Sequence, residues 1–132
     1  MDYLLDTNIC IYLIKRKPHQ VFNRFRSLSV GALGISSITE AELLYGAEKS
    51  QQPEKNRLAL AHFLLPIEIV PFGSAAAHEY SVIRSDLEKA GNVIGPLDML
   101  IAAQAKSIDA TVITNNELEF LRVKGLNVEN WV

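Results

Sequence analysis

Three features of the sequence predict one α/β domain built on a parallel sheet. Strand-sized apolar runs alternate with segments of helical periodicity along the whole chain. No Asn-Gly or Asp-Gly turn joins neighbouring strands, so helices rather than hairpins connect them. The 132 residues, 48% hydrophobic and 21% charged, suffice to bury a core without disulfides or a structural metal. The expectation is a twisted parallel sheet of four to five strands with helices on both faces, over residues 1–132.

Each element has its own signal. The apolar Tyr3-Leu4-Leu5 reads as a short buried strand ending at Asp6, and Thr7 or Asn8 caps the helix carrying Ile9, Cys10, Ile11, Leu13 and Ile14. Lys17-Pro18 breaks that pattern, and Val21, Phe22, Phe25 and Leu28 recur at the spacing of a second short helix. Residues 33–36 form a compact strand. Ser37-Ile38-Thr39-Glu40 fits an S-x-x-E capping box that opens a helix to about residue 50. Pro53 is placed to start the next helix, which carries Leu58, Leu60, Phe63 and Leu64.

Residues 67–70 read as a strand ended by Pro71-Phe72-Gly73, and 74–89 as an Ala-rich helix closed by Gly91 at a left-handed C′ position. A loop at 92–95 leads to Pro96, which begins a helix to about residue 107. The β-branched strand 110–113 runs into Thr114-Asn115-Asn116, a short helix follows over 117–121, and 126–131 offers a last edge strand.

Composition narrows the function classes. A single cysteine, Cys10, excludes an internal disulfide and a cysteine-based zinc site. No basic region precedes a long apolar run at the N-terminus, and no apolar segment reaches the ~20 residues of a membrane span, so the expected location is the cytoplasm, with no membrane partner. The net charge of −2 argues against nucleic-acid binding through overall charge. Its distribution is uneven, however. Lys15, Arg16, Lys17, Arg24 and Arg26 face only Asp2 and Asp6 within residues 1–30, a local excess of +3 suited either to a solvated face or to gripping RNA phosphates.

Asp6 stands where ligands gather in an open α/β sheet, outside the carboxyl end of a parallel strand. It either caps the helix or helps to hold a metal ion. Glu42 shares a helical stripe with Ile38, Ala41 and Tyr45 and is its only charge, so it is either paired, bound to a metal, or at the stripe's edge in water. Asp98 shares a stripe with Ile101, Ala102 and Ala105, and the helix dipole alone favours an acid there. Asn115-Asn116 closes a strand where turn formers are common, with Glu117 and Glu119 next. Singly, each position has an ordinary structural explanation. Together they place hard oxygen donors at one sheet edge, without a His or Cys cluster, which suits Mg²⁺ or Mn²⁺.

Four segments, in this order, carry a resemblance: Leu4-Leu5-Asp6-Thr7-Asn8; Ser36-Ser37-Ile38-Thr39 with Glu42, Leu43, Tyr45 and Gly46; Ile94-Gly95-Pro96 with Asp98, Ile101 and Ala102; and Val112-Ile113-Thr114-Asn115-Asn116 with Glu119 and Phe120. The set resembles the PIN-domain ribonucleases, specifically the VapC-type toxins of bacterial toxin–antitoxin pairs, over essentially the whole chain. The resemblance implies a single PIN-like domain and a metal-dependent endoribonuclease. Asp6, Glu42 and Asp98 would form its acidic core, with Asp6 and Asp98 holding Mg²⁺ or Mn²⁺. Many relatives carry a fourth acid as an Asp two residues after the Thr, which is Asn116 here, and Glu119 matches a further acidic position; Asn116, Glu117 and Glu119 all stand as candidates for completing the site. Thr7, Asn8, Thr114 and Asn116 would support it.

The resemblance further implies a homodimer, a VapB-type antitoxin whose C-terminal segment blocks the site within a larger complex, and tRNA as substrate, with initiator tRNA cut in its anticodon region. Hydrolysis without attack by the ribose 2′-hydroxyl would leave 5′-phosphate and 3′-hydroxyl ends. The alternative is a PIN-fold protein that binds RNA or a partner without cutting. Other acidic-edge folds fit less well. A receiver domain needs paired acids at its first strand and a late Lys, a dehalogenase-like phosphatase needs D-x-D where position 8 is Asn, and no G-x-G-x-x-G is present for a dinucleotide.

Overall fold

The computed structural model describes residues 1–28 and 31–132. Along the chain it has β1 (Tyr3–Leu5), α1 (Thr7–Lys15), α2 (His19–Arg26), β2 (Leu33–Ser36), α3 (Ser37–Glu48), α4 (Pro53–Leu64), β3 (Glu68–Val70), α5 (Ser74–Lys89), α6 (Pro96–Ser107), β4 (Thr111–Ile113), α7 (Glu117–Phe120) and β5 (Val128–Glu129). The strands form one sheet in the order β3-β2-β1-β4-β5, and every pairing is parallel. Among the described residues no helix is long and apolar enough to cross a membrane.

The pleat of β1 divides the core in two, because successive side chains leave a strand on opposite faces. Leu4 and Val112 bury one face against Ile83 and Leu87 of α5 and Met99, Ile101 and Ala102 of α6. Leu5 and Ile113 bury the other against Ile9 and Leu13 of α1, Val21 of α2, Leu43 of α3 and Leu60 of α4. Each such aliphatic side chain, fully buried, contributes about 1.5–3 kcal/mol. The helices therefore cover both faces, as the alternation of elements requires.

Strand order positions the site. From β1 the chain steps outward to β2 and β3, then returns to place β4 on the other side of β1. The crevice outside the carboxyl ends of β1 and β4 is the topological switch point, where such sheets bind ligands. Asp6 follows β1 and Thr114 follows β4, and the Asp6 N–H donates to the Ile113 carbonyl at 3.0 Å. The two chain segments are stitched together at that edge.

Helix starts differ from the sequence expectation at two places. Asp6 itself, not Thr7 or Asn8, caps α1: its Oδ1 accepts the Ile9 N–H at 2.9 Å. α3 is capped by Ser36 instead of Ser37, because the buried Ser36 Oγ accepts the Ile38 N–H at 3.1 Å and donates to Gln104 Oε1 at 2.9 Å. Ser37 Oγ is diverted to accept the Phe72 N–H at 3.0 Å, so the capping box does not form. Pro53 and Pro96 open their helices as expected. The tail contributes only Val128–Glu129 as edge strand, and Trp131 beyond it is buried in the second core.

Candidate active site

Asp6 is 4% exposed, and its burial pushes the carboxyl above its ordinary pKa, with the Glu42 charge adding to the effect. A hydrogen bond from the Thr114 hydroxyl and the Ile9 N–H oppose that shift by favouring the ionised form. Thr114 is itself fully buried and accepts the Asn116 N–H at 2.8 Å, so the turn after β4 aims its hydroxyl at Asp6.

Glu42 enters from α3. The stripe of Ile38, Ala41, Glu42 and Tyr45 is not the buried one: Ala41 is exposed and Tyr45 is 65% exposed, while Thr39, Leu43 and Ala47 face the core. Stripes one residue apart are both rich in apolar side chains here, and the core took the second. Glu42 lies half-buried on the border between them, where the Thr7 hydroxyl donates to its Oε1 at 2.6 Å. The first residue of α1 thus aims the acid of α3.

Asp98 lies in the first turn of α6, half-buried, with its Oδ2 only 3.4 Å from where a Cβ on Gly95 would sit. A side chain at 95 would crowd the carboxylate. The Asp98 carboxyl is pushed up to about 6, first by burial, then by a hydrogen bond with Glu119 and the charge of Glu119, and then by the charges of Asp6 and Glu42. Carboxylates that perturb one another in this way share one small volume.

The fourth position resolves as a bridge. The Asn116 side-chain amide donates to Glu119 Oε2 and, at 3.4 Å, to Asp98 Oδ2. Asn116 therefore spans two acids without adding charge, and Glu119 supplies the carboxylate. Glu117 points elsewhere, accepting from the Asn130 amide at 3.4 Å. Asn8 is exposed and makes no side-chain hydrogen bond among the described residues. Asn115, expected as a turn former, donates to the Tyr12 hydroxyl at 2.7 Å and so ties the turn after β4 to α1.

The basic N-terminal residues disperse. Arg24 pairs with Glu129 at 3.1 Å and lies over the Trp131 ring, while Arg16 and Arg26 both lie over Phe22. Lys17 is exposed, and Lys15 lines a cleft of about 330 Å³ that also exposes Thr7 and Glu42. Cys10 is wholly buried, and burial pushes its thiol well above the ordinary range, which suits an inert core residue.

The donor set can be tested against a metal ion. Among the described residues no three His, Cys, Asp or Glu side chains are gathered tightly enough to close on one ion directly, and none of Asp6, Glu42, Asp98 and Glu119 is in a salt bridge. The four carboxylates repel one another at this edge. That arrangement fits a hard divalent ion that retains part of its water shell, and not one that demands a closed protein cage.

A family model described as PIN domain matches residues 3–126. The chain is 45% identical over 131 residues to the tRNA(fMet)-specific endonuclease VapC of Shigella flexneri, which covers 99% of this chain and 98% of that protein. Two solved structures are similar throughout: VapBC2 from Rickettsia felis bound to a DNA fragment from their promoter (41% identity, TM-score 0.93, 100% of both chains) and DNA-bound VapBC from Salmonella typhimurium (41%, TM-score 0.94, 100% of this chain and 99% of the other). The chain belongs to the PIN-domain family, in its VapC branch.

Proposed function

We propose that the chain is a divalent-metal-dependent endoribonuclease of VapC type. Its substrate is tRNA, with the anticodon region of initiator tRNA as target, its products end in 5′-phosphate and 3′-hydroxyl, and a VapB-type antitoxin neutralises it. One observation carries the chemistry: Asp6, Glu42, Asp98 and Glu119 converge at the switch point with no cationic side chain paired to them among the described residues, and burial together with the neighbouring acids pushes Asp98 up to about 6. Support for substrate and partner comes from the relatives, one named for tRNA(fMet) and others solved as VapBC complexes.

In this reading Asp6 and Asp98 hold Mg²⁺ or Mn²⁺, with Glu42 and Glu119 acting through water. When bound, such an ion makes water a stronger acid and offsets the charge that develops on a phosphate. The chain's own part is positional. Thr7 fixes Glu42, the Ile9 N–H and Thr114 fix Asp6, and Asn116 holds Asp98 against Glu119, so the acids meet a substrate without rearrangement.

The test is cleavage of total tRNA by the purified chain with Mg²⁺ or with EDTA, beside Asp6→Asn, which keeps the cap and removes the charge. A few discrete fragments, lost in EDTA and in the variant, are expected. Fragments ending in 2′,3′-cyclic phosphate would sink the hydrolytic mechanism. Binding without cutting, equal in the variant, would favour the non-cleaving alternative, for which the neutral Asn116 between two acids is the motive.

A further inference from the structure

We infer that a second, basic cavity between α5 and α6 binds backbone phosphates of the RNA flanking the bond that is cut. The inference rests on the endoribonuclease reading and deepens it. The cavity, about 390 Å³, lies between the C-terminal half of α5, the end of α6 and residues 122–124. Lys89, Lys106, Arg122 and Lys124 line it, with Asp86 as the one acid, a local excess of three positive charges in a chain whose net charge is −2. Among the described residues none of these four cations is in a salt bridge.

Two of them are fixed by the backbone. Lys106 Nζ donates to the Lys124 carbonyl at 2.9 Å and passes 3.3 Å from where a Cβ on Gly125 would sit; Gly125 has φ +75°, so the turn that admits the lysine needs glycine for both reasons. Arg122 donates to the Val93 carbonyl at 3.2 Å. Each bond uses one N–H and leaves the others free for an anion. Ammonium and guanidinium groups held next to backbone carbonyls with spare donors suit phosphate oxygens.

Two segments at the cavity continue along the chain into residues of the acidic site. Arg122 follows Glu119 by three residues, and the Val93 loop runs into Gly95 and Asp98. RNA crossing an edge of four carboxylates needs compensating cations close by, and the N-terminal basic residues are partly engaged, Arg24 by Glu129 and Arg16 and Arg26 by Phe22. The cavity supplies that charge without placing it on the acids themselves.

The test is tRNA affinity as a function of salt, measured with the Asp98→Asn chain so that the RNA stays intact. Into it go Lys89→Gln with Lys124→Gln, both exposed, or Lys49→Gln with Lys55→Gln, which remove the same charge from another surface. The pocket pair should weaken binding about ten-fold near ~0.15 M salt and flatten the slope of log affinity against log salt by roughly 1–2. The control pair should change neither appreciably. Equal losses in both pairs, or none in the pocket pair while the parent binds and the unmodified chain cuts tRNA, would overturn the cavity and leave the nuclease standing. An Asp98→Asn chain that does not bind tRNA, together with an unmodified chain that does not cut it, overturns both.

Discussion

In the folded chain the half-buried Asp98 carboxyl, hydrogen-bonded to Glu119, has a pKa of about 6 against an ordinary 3.8, so folding shifts its titration upward. The folded state then binds that proton more tightly than the unfolded one. The stabilisation is complete below about pH 3.8 and is lost as pH rises through about 6. Asp6, also shifted upward, acts in the same sense. In EDTA the chain should therefore melt at a higher temperature at pH 5 than at pH 7, and Asp98→Asn should remove much of that rise while stabilising the chain at pH 7. Thermal unfolding at the two pH values decides it; an Asp98→Asn curve parallel to the parent's would show that the acids do not repel. Thr7 makes a separate prediction. Thr7→Val deletes the hydroxyl that aims Glu42 and should lower activity or Mn²⁺ affinity about 10–100-fold, the usual cost of losing a group that orients a ligand. A Mn²⁺ titration of tRNA cleavage reads it directly.

Among the elements, the joint between α3 and α6 carries the site's geometry. Ser36 and Gln104 are buried, and their bond ties the start of α3, six residues before Glu42, to α6, six residues after Asp98. Gln104 Nε2 also donates to the Pro71 carbonyl at 3.5 Å, reaching the exit of β3. Ser36→Ala removes a helix cap and strands a buried amide oxygen, so urea unfolding should show a loss of about 1–3 kcal/mol. The bond between the two residues was not legible, because a hydrogen bond across 68 positions leaves no periodic signal. The sheet was legible for the opposite reason. Leu4-Leu5 and Val112-Ile113 are buried on both faces and read as continuous apolar runs. The face of α3 was not, since two adjacent stripes were about equally apolar. Asp6 could be placed at the strand end, and capping was one of its two readings there, but the sequence could not choose among Asp6, Thr7 and Asn8 because all three are good caps by type.

At the scale of the molecule, the two half-cores meet through β1 and leave the acids crowded along one rim. A cation that relieves the crowding binds the folded chain and not the unfolded one, so it must raise stability by mass action. Millimolar Mg²⁺ should raise the melting temperature at pH 7 and do so less at pH 5, where Asp98 is largely protonated. Equal shifts at both pH values would place the ion elsewhere. The double duty of Asp6, cap of α1 and acid of the site, has a consequence for any inactivated form. In the proposed nuclease, Asn at position 6 keeps an N-cap and should yield an intact, inactive decoy that still occupies whatever the active chain would bind. Ala there gives up about 0.5–2 kcal/mol of helix capping as well, so fewer molecules survive to compete. Co-expressed with the wild-type chain, the two silenced forms should therefore differ in how much inhibitor they draw away, although neither cuts anything.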